Sequence, residues 1–373
     1  MPVRHLMILT LIQPDLFATS AQGALRPLTW NEHDYVDEWL NATRTMKPII
    51  AQNCPDLATN ASYKFYAPSF AGTNNHLDPI ITWEDGLDAD KDIALISSHN
   101  YINGATQPGV TLQGTLMNHT STVASVAKQL NESHLLSALP ANLNPQLPFI
   151  LGETNSLYNE GAPGLSNSFG AALWGVDFAL YCAANNVSRI HFHQGTNYRY
   201  QSWQPVDTNN TAKGTKAPYY GNIAVASFVG NLTDTATVPS IANIHLPNER
   251  EAAYASYIQN NLAKVLVMNM QEYNTTQNNT DDYPRPTYEY ELQLPRQCAG
   301  QVASLQRLMA NGSDAITGIT FDGYSYNYEL EMGMPVLLSN VTRGETLQID
   351  SSGKASVAVP ASSAVILNLN CTG

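Results

Sequence analysis

The chain has 373 residues, of which 43% are hydrophobic and only 13% are charged, and its formal net charge is −13. This length is enough for two domains with cores of their own. The acidic balance argues against nucleic acid or an anionic membrane as a partner, and no stretch is long and apolar enough to span a bilayer. The composition is typical of an extracellular enzyme with a polar, tyrosine-rich surface.

Helical and strand patterns alternate from residue 29 to residue 229. Thr29 to Glu32 has the pattern of a capping box and predicts a helix over 30–40. Apolar runs then predict four strands, each followed by a helix or a helical stretch. The predicted strands cover 63–67, which Pro68 is expected to stop, 93–96, 147–151 and 189–193, and the main helical patterns lie at 123–130, 169–180 and 220–229.

Repeated strand–helix units predict a parallel sheet. The chain lacks a nucleotide-binding fingerprint, so a barrel and an open sheet are the two candidates. Four units are too few to close an eight-stranded barrel. The pattern therefore predicts an α/β fold that is the C-terminal half of a (β/α)8 TIM barrel.

The pattern changes near residue 240. Gln259-Asn-Asn261 lies between two strand patterns, 253–258 and 262–270, and predicts a hairpin. A tight turn is expected at 351–354. Further short strands are predicted at 288–292, 346–349, 355–359 and 364–369. The second part is therefore predicted to be an all-β module, a β-sandwich.

Asn-x-Ser/Thr triplets are unusually frequent and occur along the whole chain. Their number suggests passage through a glycosylating secretory route, although richness in Asn and Thr is an alternative explanation. The twelve triplets begin at Asn41, Asn60, Asn118, Asn131, Asn186, Asn209, Asn231, Asn274, Asn278, Asn311, Asn340 and Asn370.

The four cysteines, Cys54, Cys182, Cys298 and Cys371, are too far apart in sequence for a metal knuckle. A secreted protein can form disulfides. Cys298 with Cys371 is the favoured pair because both lie in the C-terminal region, and free buried thiols are the alternative. Arg4 followed by a short apolar run imitates a signal peptide, but the run is at the short limit for one.

The segment 147–158 carries the strongest indication of chemistry. Its apolar strand ends in Gly152 and is expected to present Glu153 at the C-terminal end, which in a barrel is the face where active sites are built. A carboxylate at this place, followed by small polar residues, suits a nucleophile that attacks a sugar carbon. A loop carboxylate or an ion-pair partner is the alternative interpretation.

The end of the predicted strand 189–193 is rich in polar and aromatic residues. Asn, Tyr, Gly and His side chains between 191 and 200 are the donors and rings that sugar hydroxyls and ring faces require. His191 and His193 share a strand face and could form half of a metal pair. Since no Cys or acidic run completes such a site, neither a metal nor another cofactor is expected.

The strand 93–96 is followed by Ser97-Ser-His-Asn-Tyr101. Tyr101 could donate a hydrogen bond to the nucleophile carboxylate and keep it ionised. A tyrosine packed over the barrel mouth is the alternative.

Three segments together carry a family resemblance. Gly152-Glu-Thr-Asn-Ser-Leu-Tyr-Asn-Glu-Gly-Ala-Pro-Gly-Leu-Ser-Asn-Ser-Phe-Gly170 with Leu173-Trp-Gly-Val-Asp-Phe178, His191-Phe-His-Gln-Gly-Thr-Asn-Tyr-Arg-Tyr200, and Asp322-Gly-Tyr-Ser-Tyr326 resemble fungal β-glucuronidases of glycoside hydrolase family 79, relatives of heparanase. The likeness runs from about Pro14 to the end, and the C-terminal stretch resembles that family's β-sandwich domain.

The resemblance implies a barrel enzyme that cleaves β-linked glucuronic acid, or its 4-O-methyl form, from glycans with retention of configuration. Such enzymes use two carboxyls about 5–5.5 Å apart. Glu153 falls on the family nucleophile, and Tyr158 and Tyr200 fall on positions that line the uronic acid pocket. His193, Gly195 and Asn197 lie in the same loop as Tyr200 and are expected to bind substrate with it. Such a pocket would bind a carboxylate without arginine, through hydroxyl and backbone donors.

The chain departs from the family before Pro14. The family places its acid/base Glu in Gly-Asn-Glu-Pro, and Gln13 occupies that position here. Gln13 can be encoded by CAG, which is also a common intron end, so residues 1–13 are expected to be translated intron and the chain to be truncated and inactive. We therefore predict a non-native start at 1–13, a partial catalytic barrel at 14–235 and a β-sandwich domain at 236–373. The full-length protein is expected to be secreted.

Two other functions remain open at this stage. A relative that has genuinely lost its acid would be a non-catalytic sugar-binding protein. A relative with the same barrel could act on a neutral β-glycoside. Substrates with and without the uronate carboxyl would separate the last alternative from a glucuronidase.

Overall fold

The computed structural model describes residues 29–74, 76–143, 145–234, 237–275, 284–369 and 371. These residues form two compact units. The first consists of the described residues up to Asn100 with Val126–Thr154 and Asn185–His191, and the second consists of Tyr101–Ser125, Asn155–Ala184 and the described residues from Phe192 onward. The boundary expected between residues 235 and 236 remains a prediction.

The described residues contain six α-helices and seventeen short or long strands. The helices are α1 (Glu32–Asn53), α2 (Pro79–Glu84), α3 (His119–Ser137), α4 (Phe169–Ala184), α5 (Ala217–Val229) and α6 (Tyr328–Glu331). The first nine strands are β1 (Phe65–Phe70), β2 (Ile93–Gly104), β3 (Phe149–Tyr158), β4 (Arg189–Phe192), β5 (Trp203–Gln204), β6 (Gly214–Thr215), β7 (Ser240–Ile244), β8 (Glu251–Ile258) and β9 (Asn261–Asn269). The remaining strands are β10 (Thr287–Gln293), β11 (Val302–Met309), β12 (Thr320–Phe321), β13 (Tyr324–Ser325), β14 (Val336–Leu337), β15 (Thr346–Gln348), β16 (Lys354–Pro360) and β17 (Ser363–Asn368).

The first helix begins at Glu32, slightly later than expected, and continues to Asn53, well past the predicted end at residue 40. The capping box is formed by Asn31 and Asp34, whose side chains each accept a hydrogen bond from the backbone N–H of the other at 3.1 and 3.0 Å. The predicted box at Thr29–Glu32 is therefore wrong, because Asn31 is itself a strong cap and is followed three residues later by a carboxylate. On the buried face of α1, the ring of Trp39 lies 5.5 Å from the ring of Phe65 in β1.

The strand–helix alternation continues through the first part of the chain, and the four predicted strands form one sheet in the order β1-β2-β3-β4. β1 pairs with β2 in parallel, with Phe65 opposite Ile93. Pro68 does not stop β1, which continues to Phe70. The reason is that, among the described residues, β1 lies at the end of the strand order, where a missing N–H costs no ladder hydrogen bond.

Two strands are longer than predicted. β2 continues to Gly104, and β3 continues to Tyr158 instead of ending at residue 151. Glu153 therefore lies inside β3, whereas the sequence analysis placed it just after the strand. The polar residues Thr154, Asn155 and Ser156 mislead a periodicity argument because all three are buried and hydrogen-bonded within the fold.

The C-terminal strands form an antiparallel sheet and a smaller ladder. Nine strands belong to the larger sheet, in which β14, β13, β12, β11, β17, β9, β8 and β7 are successive neighbours and β15 pairs with β11. In the part of the chain that the structure describes, β10 and β16 form a separate two-stranded antiparallel ladder. Gln259 and Asn260 both have positive φ, 51° and 66°, which is the backbone of a tight two-residue hairpin turn.

One apolar cluster fills the centre of the C-terminal strands. It contains buried side chains from β8, β9, β11, β16 and β17, among them Val267, Val357 and Leu367. Cys298 and Cys371 belong to this cluster and form a disulfide with their Cα atoms 4.4 Å apart. Cys182 is a buried free thiol and Cys54 an exposed one.

Among the residues that the structure describes, no helix has both the length and the apolar character needed to cross a membrane. Within the same residues, no group of three or more His, Cys, Asp or Glu side chains could hold a metal ion.

Candidate active site

Gly152 determines how β3 presents the carboxylate that follows it. A Cβ atom at Gly152 would lie 2.1 Å from Oγ of Ser97 and 3.3 Å from Oγ of Ser69. A larger residue would require the Ser97 side chain to move, so glycine lets β3 pass these two serines with their hydrogen bond intact. Glu153 follows directly and is half-buried.

A buried polar cluster lies beside Gly152 in the first unit. Oγ of Ser69 is 2.9 Å from Oγ of Ser97 and 2.9 Å from Nε2 of His99, and all three residues are less than 6% exposed. Gln129 donates a hydrogen bond from Nε2 to the His99 carbonyl at 2.8 Å. Buried polar groups of this kind are stable because they are paired, and they give this part of the sheet a polar lining.

The first unit also contains His191, near the end of β4. Its ring centroid lies 5.8 Å from that of Tyr66. Burial lowers the pKa of His191, as does the neighbouring Arg189 guanidinium, while a hydrogen bond to the Gly152 backbone opposes this shift. The neutral imidazole is therefore favoured.

In the second unit, three tyrosines and a histidine form what we call the tyrosine cluster: Tyr101, His193, Tyr198 and Tyr200. The His193 ring stacks on Tyr198 at 5.4 Å and meets Tyr200 edge-on at 5.9 Å. The Tyr101 ring lies 6.1 Å from that of Tyr200. Nδ1 of His193 is 3.2 Å from Oη of Tyr200. Tyr200 is only 3% exposed, so its hydroxyl is held in place by burial and by this hydrogen bond.

Gly195 and Asn197 shape the segment that carries the cluster. A Cβ at Gly195 would lie 2.2 Å from the Tyr198 ring, so glycine is required for that ring to fold back. Asn197 adopts a positive φ of 70°. Its side-chain oxygen accepts hydrogen bonds from Thr208 Oγ1 and, at 3.4 Å, from Gln204 Nε2. The Asn197 amide is thus engaged within its own loop.

Tyr158 occupies a different setting from Tyr200. It is 36% exposed, its ring covers Gly104, and its Oη accepts a hydrogen bond from Gln107 Nε2 at 3.0 Å. The structure thus brings together Tyr101, His193 and Tyr200 and packs Tyr158 on the end of β2. Gln13, which the sequence analysis predicts to occupy the position of the acid, lies outside the described residues, as do Asn278 and Asn370.

Asn155 and Tyr198 are contributors that the sequence analysis did not single out. Asn155 is 4% exposed and donates from Nδ2 to the carbonyls of His193 at 3.0 Å and Tyr200 at 3.3 Å. Tyr198 supplies the ring that stacks on His193. The only available signal was that Asn155 lies two residues after Glu153 and therefore on the same face of a strand.

The comparisons with known proteins cover nearly the whole chain. Residues 253–366 match the family model described as the glycosyl hydrolase family 79 C-terminal beta domain. The chain is 57% identical over 363 residues to a β-glucuronidase of Aspergillus niger, a match that covers 96% of this chain and 65% of that protein. It is 51% identical over 352 residues to a β-glucuronidase of Neurospora crassa, covering 89% of this chain and 62% of that protein. The chain thus spans less than two thirds of the length of these relatives.

Solved structures show the same fold at lower identity. A 4-O-α-L-rhamnosyl-β-D-glucuronidase from Fusarium oxysporum superposes with a TM-score of 0.69 at 23% identity, covering 90% of this chain and 64% of that one. A family 51 α-L-arabinofuranosidase from Bifidobacterium longum superposes with a TM-score of 0.56 at 11% identity, covering 91% and 63% of the two chains. Together with the family match over residues 253–366, these superpositions confirm the predicted combination of an α/β part with a C-terminal β domain.

Proposed function

We propose that this chain, a relative of the β-glucuronidases of glycoside hydrolase family 79, supplies the nucleophile and the uronic acid pocket of a retaining β-glucuronidase. Its substrate would be a glycan with β-linked glucuronic acid or 4-O-methyl-glucuronic acid. The observation that carries the proposal is the position of Glu153, which is half-buried on β3 directly after Gly152, in a chain that is 57% identical to a β-glucuronidase.

Glu153 would attack the anomeric carbon and form a covalent glycosyl-enzyme, which water then hydrolyses. Retention requires a second carboxyl that protonates the leaving group and later activates the water. Our proposal assigns Gln13 to the corresponding position, and an amide cannot donate that proton. We therefore expect this chain to turn over slowly those substrates whose leaving groups need protonation.

The uronate would be bound by hydroxyl and imidazole donors. Tyr200 and Tyr158 are the proposed pocket residues, with His193, Gly195 and Asn197 supporting them. Tyr101, the fourth member of the tyrosine cluster, would assist the nucleophile by donating a hydrogen bond to its carboxylate. Neutral donors suit a carboxylate here because each can give a charge-assisted hydrogen bond without neutralising the sugar.

The similarity to β-glucuronidases also supports a proposal for the fold and for secretion of the protein. The sheet β1–β4 would be half of an eight-stranded barrel, and the C-terminal strands, which share one apolar cluster, would be a β-sandwich. The disulfide Cys298–Cys371 and the many glycosylation triplets support a secreted protein, because disulfides persist in oxidising compartments.

The test is covalent labelling with 2-deoxy-2-fluoro-β-glucuronosyl fluoride. Fluoride departs without protonation, so the label reports the nucleophile independently of the acid. We expect one label, on the peptide that contains Glu153, and none in Glu153→Gln. Glu160→Gln is the matched control because Glu160 is an exposed carboxylate just past the end of β3. Labelling of Glu153→Gln at the rate of the unmodified chain would refute the nucleophile assignment.

A non-catalytic sugar-binding function is the second candidate, and Gln13 is the observation that favours it. Reversible binding of glucuronate without any label would support it. Labelling by the glucosyl fluoride, and none by the glucuronosyl fluoride, would instead indicate an enzyme for neutral β-glycosides. Each outcome selects one of the three functions.

A further inference from the structure

Asn155 ties together the two ends of the segment that carries the tyrosine cluster. Its Nδ2 donates to the carbonyl of His193 at 3.0 Å and to the carbonyl of Tyr200 at 3.3 Å. Its Oδ1 accepts from the Ser156 N–H at 2.8 Å. Both donated hydrogen bonds and the accepted one are thus made with backbone groups, and the two carbonyl acceptors are those of residues 193 and 200.

The same segment contains a hydrogen-bonded pair whose protons can be assigned. The Gly195 N–H donates to Nδ1 of His193 at 3.2 Å, and a backbone N–H can only donate. Nδ1 is therefore an acceptor, and the imidazole is neutral with its proton on Nε2. The Tyr200 hydroxyl, 3.2 Å from the same Nδ1, must then be the second donor. Of the two side chains, His193 is then the one whose remaining proton, on Nε2, can be donated to a ligand.

We propose that Asn155 is a positioning residue that fixes this proton arrangement and so determines the preference for a uronate. This inference rests on the proposed function of the pocket. By holding the carbonyls of His193 and Tyr200, Asn155 sets the distance between Nδ1 and Oη and keeps Gly195 N–H directed at the ring. A carboxylate is bound by hydrogen-bond donors. In this geometry the donor that remains for the uronate is Nε2–H of His193.

The chemistry requires an amide at this position. An NH₂ group has two protons for two carbonyl oxygens, and a carboxylate has none. Asn155→Asp keeps the acceptor for Ser156 but turns two hydrogen bonds into contacts between oxygens. We therefore expect the segment 193–200 to loosen and the His193 ring to lose its single tautomer.

Asn269 offers a matched control for these variants. It is fully buried, donates from Nδ2 to the Val359 carbonyl at 3.0 Å, and accepts from the Gln271 N–H at 3.1 Å. Asn269→Asp removes the same kind of interaction from the C-terminal strands. Asn155→Ser, which keeps one hydroxyl donor, is the milder variant to use if Asn155→Asp does not fold.

The first measurement needs no ligand. Hydrogen exchange of the peptide 193–200 should accelerate at least about tenfold in Asn155→Asp, as expected for the loss of two buried hydrogen bonds, and should not change in Asn269→Asp. Selective ¹⁵N labelling of the histidines, with His193→Gln for assignment, should show the Nε2–H form in the unmodified chain and a mixture in Asn155→Asp. Unchanged exchange and an unchanged tautomer in the folded Asn155 variants would overturn the proposal.

The second measurement is the ratio of labelling rates by the glucuronosyl and glucosyl fluorides. The ratio should fall about tenfold in Asn155→Asp or Asn155→Ser, the effect of losing one hydrogen bond to a charged group, and stay constant in Asn269→Asp. An unchanged ratio beside accelerated exchange would reject the role in specificity. Absence of any label in the unmodified chain would count against the proposed function, while the exchange and tautomer measurements would still decide the role of Asn155.

Discussion

The hydroxyl of Tyr200 lies 3.2 Å from Nδ1 of His193, and Tyr200 is only 3% exposed, whereas Tyr158 is 36% exposed. Removing the Tyr200 hydroxyl takes a donor from the buried Nδ1 of His193, which costs about 1–3 kcal/mol, and an exposed hydroxyl can be replaced by water at lower cost. We therefore predict that Tyr200→Phe lowers the preference for glucuronosyl over glucosyl probes by roughly tenfold or more, and that Tyr158→Phe lowers it less.

The ratio of labelling rates of the two fluorides measures this effect. Tyr198→Phe is the control, because its ring stacking on His193 is retained. An unchanged ratio in both Tyr200→Phe and Tyr158→Phe would remove these residues from the uronate pocket.

The sequence predicted which segments carry the site residues better than it predicted the hydrogen bonds between those segments. Strand ends rich in Tyr, His and Asn identified the segments that carry Glu153, Tyr101 and Tyr200. Periodicity could not show that β3 continues through Asn155, because buried polar residues within a strand look like a loop until their partners are known. Those partners lie about 40 residues away along the chain, beyond the reach of a local pattern.

For the fold as well, local patterns were predictable from the sequence and long-range pairings were not. The repeated strand–helix units predicted the sheet β1–β4 because periodicity is a local property. The extension of β1 through Pro68 depended on its place at the end of the strand order, and strand order is not a local property. The pairing of β11 with β17, which joins Ser304 to Asn368 far along the chain, was unpredictable for the same reason.

Glu132 in α3 should make stability depend on pH. Burial raises its pKa from 4.5 to about 7, Asp78 adds to the shift, and the hydrogen bond from Ser98 and the charge of Lys128 oppose it. Since the folded pKa is higher than the unfolded one, the native state binds this proton more tightly. The resulting stabilisation is complete below about pH 4.5 and is lost as the pH rises through about 7.

We expect Glu132→Gln to reduce the fall in Tm between pH 5 and pH 8, because the amide stays neutral at both. Thermal unfolding at the two pH values measures this. The control is Glu289→Gln, since Glu289 is exposed and also accepts a hydrogen bond from a serine, Ser356, at 2.8 Å. A fall in Tm as large in Glu132→Gln as in the unmodified chain would contradict the prediction.

The disulfide Cys298–Cys371 should be a major source of stability for the C-terminal strands. It links residues 73 positions apart, and closing a loop of that length is worth about 4 kcal/mol in the chain-entropy model. Both cysteines also belong to the apolar cluster of these strands. The pair of substitutions Cys298→Ala and Cys371→Ala should therefore lower Tm by many degrees.

Differential scanning calorimetry without reductant compares this double variant with Cys54→Ala, which removes an exposed free thiol and should have little effect. Adding a reductant should lower the Tm of the unmodified chain and leave that of the double variant unchanged. Equal Tm values for the double variant and the oxidised chain would exclude a stabilising disulfide.

Two of the glycosylation triplets should remain unmodified in the folded protein, namely those at Asn118 and Asn274, each 8% exposed. Asn118 Oδ1 accepts a hydrogen bond from the Ser121 N–H at 3.0 Å at the start of α3. Asn274 accepts one from Ser313 Oγ at 2.5 Å and donates to Glu272. A glycan on either residue would have to be accommodated where the asparagine itself is almost wholly covered by its neighbours. The exposed asparagines of the other described triplets are Asn41, Asn60, Asn131, Asn186, Asn209, Asn231, Asn311 and Asn340.

Peptide mass spectrometry after enzymatic deglycosylation in H₂¹⁸O, on protein secreted by a fungal host, measures occupancy at each triplet. We expect ¹⁸O incorporation only at exposed asparagines, because a glycan attached before folding at Asn118 or Asn274 would have to be buried or would displace paired polar groups. Asn311→Gln is the control for detection, because this exposed residue lies two positions before Ser313, the partner of Asn274. A glycopeptide containing modified Asn274 from soluble, folded protein would show that the segment around Ser313 opens more than these hydrogen bonds allow.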